Sequence, residues 1–250
     1  MKIPNRLSAI AVIVLLGCFI TPIKVSAQQT VTFVTSDGLT ITADHYVVDV
    51  NYPYILLLHQ AGFSRGESRE IAPKLVKLGY NCLAIDQRSG YEVNFVSNAT
   101  AARAAEQNLP QAYIDALADI EAAIAFIKKQ SDKPIVLWGS SYSASLALLT
   151  APKELRVGTL VLFSPGEYLS NVSVAEWAAK VSVPIFATSS HGECEQVKQV
   201  CAGVKSELLT TYCPAMPGEH GSKALWETNP SNGDYWLAIS MFFSRLKKKP

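Results

Sequence analysis

The chain has 250 residues, of which 49% are hydrophobic and 17% charged, and its formal net charge is +1 at pH 7. That composition excludes an intrinsically disordered chain, which needs low hydrophobicity and high net charge. The near-neutral balance gives no electrostatic footprint for nucleic acid.

Residues 1–27 read as a leader: Lys2 and Arg6 are positive, Leu7–Ile20 is almost wholly apolar, and Val25-Ser26-Ala27 is a small-residue cleavage site before Gln28. The apolar run is shorter than the ~20 residues of a membrane span, so no stable membrane insertion is expected once the leader is removed. The expectation is export, to a periplasm or beyond. A lipoprotein signal is the alternative, because Leu15-Leu16-Gly17-Cys18 resembles the pattern before a lipidated cysteine. Phe19–Val25 stays mostly apolar where a lipoprotein tether turns polar, which favours simple secretion. Residues 28–250 are expected to form a single domain with a substantial core. The leader holds Lys2, Arg6, Lys24 and no acid, which leaves 19 basic against 21 acidic residues.

Thr30–Thr35 and Leu39–Val48 alternate in polarity around Asp37-Gly38 and predict an antiparallel hairpin. Then the pattern changes. Tyr54–Leu58, Asn81–Ile85, Pro134–Trp138, Gly158–Phe163, Pro184–Thr188 and Ser206–Tyr212 are short, largely apolar runs, as expected for strands covered on both faces. Between them lie helical stretches at Glu67–Leu78, Gln111–Lys129, Tyr142–Leu149, Ala175–Lys180 and Glu195–Val204, and Asp234–Leu246 closes the chain. Strand alternating with helix predicts parallel βαβ units in an α/β, three-layer α/β/α sandwich with a mostly parallel sheet. Lys247-Lys248-Lys249 follows the last helix and suits a helix C-terminus. Asn98-Ala99-Thr100 and Asn171-Val172-Ser173 match the glycosylation pattern, a match that is common by chance.

One turn carries chemistry. Val136–Leu148 reads VLWGSSYSASLAL, with Gly139-Ser140-Ser141-Tyr142-Ser143 between two apolar runs. This is the strand–turn–helix setting of a nucleophile elbow, G-x-S-x-G, with the last glycine replaced by Ser143. Gly139 sets the register. Centring on Ser140 puts Trp138 where a small residue is needed, and centring on Ser143 leaves no glycine at all. The competing reading is that these serines only cap a helix.

A serine nucleophile needs a base, and in this architecture the base follows in chain order. His45 lies in the hairpin, His59 ends the first parallel strand, His191 follows the fifth, and His220 follows the last, in the loop PGEHGSKALW. Side chains at the carboxyl ends of parallel strands converge on one crevice, so His220 is the candidate base. The carboxylate that holds its tautomer comes from TSSHGECE or SPGEYL: Glu193 is best placed, with Glu195 and Glu167 as alternatives. Two backbone N–H groups are the candidate oxyanion donors: Tyr142, after the nucleophile, and Ala61 or Gln60 in the loop after the first parallel strand, where Gly62 allows the bend.

In this order the pieces resemble the α/β-hydrolase superfamily over about Tyr54–Leu246, closest to its small dienelactone-hydrolase-like and esterase-like branch. His59-Gln60-Ala61-Gly62 stands where the family has its His-Gly-x-Gly oxyanion loop, Gln60 departing from glycine. The elbow matches with one departure, Ser143. Glu193 falls where the family usually has aspartate, and His220-Gly221 fits its histidine loop. The resemblance implies Ser141 as nucleophile, His220 as base, Glu193 as acid, and Ala61 and Tyr142 amides for the oxyanion. It implies acyl transfer to water by a serine hydrolase, a carboxylic ester hydrolase by default, acting on a small-molecule acyl substrate. No cofactor and no metal are called for; Cys194 and Cys201 with His191 match no zinc spacing. Asp86 and Arg88, in AIDQRSGYE, are similar to the family's Asp-x-Arg stretch, which is mostly structural there. A non-catalytic binding or scaffold relative is the alternative, which Gln60 and Ser143 favour and the complete Ser–Glu–His order opposes.

Glu167–Val183, where this fold inserts a lid, is too short for a cap domain. Tyr168, Val172, Val174 and Trp177 are candidates to cover the site, and Tyr91, Phe95 and Trp226 to line it. Among the cysteines, Cys82 lies in an apolar run and reads as a buried thiol. Cys194 follows the proposed acid and Cys213 ends the strand leading to the histidine loop. Sequential strands usually neighbour each other, so a Cys194–Cys213 bridge pinning the two loops is the preferred pairing. Cys201–Cys213 and free thiols are the alternatives.

Overall fold

Five short strands with almost every residue buried form the centre of the molecule. The structure, a computed structural model, describes residues 28–248. The leader at 1–27, with its cleavage site and Cys18, lies outside the described residues, as does Lys249.

The strands are β1 (Gln29–Val34), β2 (Thr40–Tyr46), β3 (Tyr54–Leu58), β4 (Asn81–Ile85), β5 (Glu92–Val93), β6 (Val96–Ser97), β7 (Ile135–Ser140), β8 (Val157–Phe163), β9 (Ile185–Thr188) and β10 (Leu209–Tyr212). The helices are α1 (Ala72–Lys77), α2 (Ala99–Glu106), α3 (Leu117–Lys128), α4 (Tyr142–Thr150), α5 (Val174–Ala178), α6 (Cys194–Val200) and α7 (Asn232–Lys248). The main sheet has the order β1-β2-β4-β3-β7-β8-β9-β10. β1 and β2 form the expected antiparallel hairpin, β2 also pairs antiparallel with β4, and the remaining pairs are parallel.

Alternation along the central strands builds two cores. Leu56, Leu58, Leu83, Ile85, Leu137, Leu160 and Leu162 face a core shared with α3, α4, α5 and α6. Ile55, Leu57, Cys82, Ala84, Trp138, Val161 and Phe163 face the other, shared with α1 and α7. Both faces are apolar because both are covered, which is why these strands read as unbroken apolar runs. The order reverses between β3 and β7: the chain passes from β3 to β4 on one side and returns through β7 on the other. Such a switch point opens a crevice at the carboxyl ends of the two strands. The loop after β3 begins at His59, and the turn after β7 holds Ser141.

Several expected elements change. The stretch Glu67–Leu78, read as one helix, is a 3₁₀ turn (Arg65–Ser68) followed by the shorter α1. Pro73 in the first turn of α1 has no N–H to donate back, so the α-helix starts there. Gln111–Lys129 likewise opens as a 3₁₀ turn, Tyr113–Ala116, before α3. The helix expected at Glu195–Val204 runs one residue earlier and stops at Val200. The hairpin β5–β6 and helix α2 have no counterpart in the expectations. Asn98 caps α2, its side chain accepting the Ala101 N–H at 2.8 Å. Its amide is buried and donates to Gln87 O, so the glycosylation match at Asn98 falls on an inaccessible side chain.

Candidate active site

Strand β7 leaves the sheet through Gly139 and Ser140, and α4 begins at Tyr142. Between them Ser141 has φ 58° and ψ −124°, a conformation that costs a non-glycine residue of order 1–3 kcal/mol. Gly139 is required by the close approach of strand and helix: a Cβ there would lie 2.5 Å from Ala144 N and Cα. This is the sharp strand–turn–helix geometry read from the sequence, with Ser141 at its apex.

His220 Nε2 lies 2.8 Å from Ser141 Oγ, and His220 Nδ1 lies 2.5 Å from Glu193 Oε1. Three loops, after β7, β9 and β10, thus bring Ser141, Glu193 and His220 into one chain of hydrogen bonds. The other Glu193 oxygen accepts from Ser164 Oγ at 2.8 Å and Ser190 Oγ at 2.7 Å. Burial opposes ionisation of Glu193, but the hydrogen bonds from His220, Ser190 and Ser164 prevail and bring its pKa down to about 2. The hydrogen bond to Glu193 raises the His220 pKa against the effect of burial, with the Glu193 and Glu67 charges adding to the rise. A carboxylate on Nδ1 also holds the proton there and leaves Nε2 free to face the serine.

The two alternative acids are elsewhere. Glu167 accepts the N–H groups of Val174 and Ala175 and so caps α5. Glu195 is exposed and pairs with Lys198 along α6. The other histidines are also occupied: His45 Nε2 meets Tyr54 Oη, His59 Nδ1 donates to Gln60 O, and His191 Nδ1 donates to Pro214 O. Asp86 accepts from Arg65 and from the Ala99 N–H, and Arg88 pairs with Asp119 and Asp37, as expected of framework residues.

In the loop after β3 the two candidate donors differ in their hydrogen bonds. Gln60 N–H donates to Glu67 Oε2 at 2.8 Å and is therefore taken. Among the described residues, neither Ala61 N–H nor Tyr142 N–H has an acceptor. Ser143, the departure from glycine, is fully buried; its hydroxyl donates to His59 O at 2.6 Å and sits 2.8 Å from Gln87 Oε1. The substituted position thus ties the elbow to the loop that carries Ala61.

A scan of protein-family models finds no match, and neither does a search of curated protein sequences. Solved structures do match. An esterase from Pyrococcus furiosus superposes with a TM-score of 0.67 at 17% identity, over 88% of this chain and 93% of its own. A thermostable carboxyl esterase from Bacillus coagulans gives 0.69 at 13%, over 87% and 98%. A dienelactone hydrolase from Anabaena variabilis gives 0.67 at 13%, over 88% and 98%. The protein has the α/β-hydrolase fold.

In this α/β-hydrolase fold the segment between β8 and β9 holds only the short helix α5. Of the residues expected to cover the site, Val174 is core and Trp177 packs under Lys153 and Lys180, so neither acts as a lid. Tyr168 stays. Its hydroxyl accepts from Gln196 Nε2 at 2.9 Å, and it borders two open clefts. One, of about 380 Å³, is lined by Glu167, Gln196, Gln199 and Val200. The other, of about 330 Å³, is lined by Tyr113, Ile114, Leu169 and Ser170. Tyr113 stacks on Tyr142, the residue after Ser141, with ring centroids 4.4 Å apart. The expected aromatic lining differs too: Trp226 is buried and donates to Glu67 O, Phe95 stands 95% exposed at the tip of the β5–β6 hairpin, and Tyr91 is exposed at its base.

The α/β-hydrolase frame closes with the bridge that was preferred on sequence: Cys194 is bonded to Cys213, and Cys82 and Cys201 are buried free thiols. Residues that the sequence reading passed over complete the surroundings. Ser164 is bonded to both Glu193 and the Gly221 N–H, and Ser140 to both Glu67 and the Ser222 N–H. Single serines at strand ends carry no pattern that distinguishes these from solvated ones.

Proposed function

We propose that this protein is a serine hydrolase that cleaves an ester, or similar acyl, bond of a small-molecule substrate. The hydrogen-bonded chain from Ser141 Oγ through His220 to Glu193 carries the reading. The fold neighbours named as esterases and as a dienelactone hydrolase support it. Gln60 and Ser143, the departures that favour a non-catalytic relative, both have partners beside the site: the Gln60 side-chain amide donates to Glu67 Oε1 at 3.4 Å, and the Ser143 hydroxyl binds elbow to loop.

Ser141 Oγ attacks the substrate carbonyl while His220 Nε2 takes its proton. Glu193 stabilises the imidazolium that forms. Charge develops on the carbonyl oxygen and is met by the N–H groups of Ala61 and Tyr142; losing one such donor typically costs roughly 10²–10³ in turnover. The intermediate collapses, His220 passes the proton to the departing alkoxide, and an acyl-Ser141 ester remains. Water, deprotonated by His220, attacks that ester, and the carboxylic acid leaves as Ser141 regains its proton. The lack of a cap among the described residues suits short or exposed acyl groups. Export through the leader is part of the proposal, and the Cys194–Cys213 disulfide supports an oxidising compartment.

An organophosphonate probe tests this. Wild type is expected to label and Ser141→Ala not to. Equal labelling of both, or of neither, overturns the reading. A panel of p-nitrophenyl esters of rising chain length, with a lactone and a peptide amide, then defines the bond cleaved.

A further inference from the structure

Glu67 sits in the 3₁₀ turn after the oxyanion loop and is 1% exposed. Its Oε2 accepts the Gln60 N–H at 2.8 Å, and its Oε1 accepts the Ser140 hydroxyl at 2.8 Å and Gln60 Nε2 at 3.4 Å. Ser140 Oγ in turn accepts the Ser222 N–H at 2.8 Å. One carboxylate is therefore bonded to the residue before Ala61 and the residue before Ser141. Through Ser140 it reaches the second residue after His220. The packing there is tight: a Cβ on Gly221 would lie 2.6 Å from Ser140 Oγ and 3.2 Å from Gln60 Cδ.

A buried carboxylate without a cation is costly, and an apolar side chain of similar size would stabilise the fold more cheaply. Among the described residues Glu67 has no ion-pair partner. Its cost must be offset by something other than stability. We propose that Glu67 is a positioning residue, which holds the Ala61 peptide, the Ser141 elbow and the His220 loop in one register. The proposal rests on the hydrolase reading.

Burial brings the Glu67 pKa up to about 7, partly offset by hydrogen bonds from Ser140 and Gln60 and by the His220 charge. The other charges around it are engaged elsewhere. Arg65 pairs with Asp44 and Asp86, Arg69 donates to Asn94 O, Glu70 accepts the Glu227 N–H, and Lys223 pairs with Glu219. Burial lowers the His59 pKa to about 4, which leaves it neutral. His220 is thus the group whose titration is coupled to that of Glu67.

The test compares wild type with Glu67→Gln and Glu67→Leu, using p-nitrophenyl acetate hydrolysis and the organophosphonate labelling rate. Glu67→Gln keeps the shape. It is expected to melt no lower than wild type, to lose about tenfold in kcat and in labelling rate with KM within threefold, and to move the acid limb of kcat/KM to lower pH. Glu67→Leu is expected to lose at least about 100-fold in labelling rate. Wild-type kcat, labelling and acid limb in Glu67→Gln overturn the proposal, as does a kcat loss that only follows a fall in melting temperature. If wild type neither hydrolyses nor labels, the hydrolase reading fails and takes this proposal with it. If wild type labels and Glu67→Gln labels equally fast, the positioning role alone fails.

Discussion

Cys194 and Cys213 are joined by a disulfide with Cα atoms 5.7 Å apart, and Cys194 directly follows Glu193. β9 and β10 are parallel neighbours with Thr188 opposite Tyr212, and Thr188 Oγ1 donates to Tyr212 O at 2.8 Å. The bridge therefore ties the loop of Glu193 to the strand that leads into the loop of His220. With a sequence separation of 19, the chain-entropy model gives about 3 kcal/mol of stabilisation. The Cys194→Ser/Cys213→Ser double variant is expected to melt roughly 6–12 °C lower, at 2–4 °C per kcal/mol for a domain of this size. Turnover should fall only a few-fold, because Ser164 and Ser190 still hold Glu193. Calorimetry measures the first effect, and mass spectrometry of non-reduced peptides finds the 194–213 link in wild type.

The assignment of the acid is tested by three amide substitutions. Glu193→Gln removes the charge that orients His220 and is expected to cost about 10³–10⁴ in kcat, by the magnitude seen for a triad carboxylate-to-amide change in a serine protease. Glu195→Gln should be within twofold of wild type. Glu167→Gln weakens the cap of α5, so it should lower stability by about 1 kcal/mol and leave kcat nearly unchanged. A large kcat loss at Glu195 or Glu167 with little at Glu193 reverses the assignment.

The pH profile follows from the same pair. In the proposed mechanism His220 must be neutral to act as base, and its pKa is raised above the ordinary 6.5, first by the hydrogen bond to Glu193. Activity is therefore expected to rise with pH through a midpoint above 6.5, and in Glu193→Gln the residual activity should rise at lower pH. Stability runs the other way for each partner. The raised His220 pKa contributes stability that is complete below 6.5 and lost as pH rises through the folded value. Glu193, lowered from 4.5 to about 2, contributes stability that is present above 4.5 and lost as pH falls through about 2. Melting temperature against pH should show that acid loss in wild type and a smaller one in Glu193→Gln.

The elbow tolerates change unequally. Gly139→Ala forces a Cβ to within 2.5 Å of the α4 backbone, which has no room to give, so a loss of about 2–4 kcal/mol and most of the activity is expected. Ser143→Ala leaves the buried His59 O without its donor and should cost about 1–3 kcal/mol. Its kcat should stay within a few-fold, since Ser143 touches neither Ser141 Oγ nor His220. Calorimetry and ester hydrolysis on the two variants separate the roles.

Patterns with a short period were legible from the amino-acid order alone. Unbroken apolar runs located Tyr54–Leu58 and Asn81–Ile85 to the residue, because strands covered on both faces need no polar alternation. Strand, glycine, serine and helix in succession located Ser141, because an elbow is a local backbone event. Chain order after the parallel strands then pointed to His220 and Glu193, since strand carboxyl ends share one crevice. Local signals also failed where tertiary contacts overrode them. Glu67 lies in a stretch that reads as a helix and instead turns its carboxylate into the core, and α2 gives no clear signal because ATAARAAE is short and its buried face carries only alanine and threonine, with no large apolar side chain.

Other features exist only in three dimensions. Which of Gln60 and Ala61 keeps a free N–H depends on a carboxylate seven residues on folding back to take one of them. Whether Cys213 pairs with Cys194 or Cys201 depends on α6 starting at Cys194 and carrying Cys201 into the core. The hydroxyls of Ser140, Ser143 and Ser164 are bonded across separations of 29 to 84 residues. Amino-acid order thus determined the layers, the elbow and which side chains are candidates for the proposed chemistry, because these follow from short-range periodicity and connection rules. Tertiary structure alone decided which polar groups are satisfied and which are left free, because a hydrogen bond depends on angstrom-scale distances between loops that are remote in the chain.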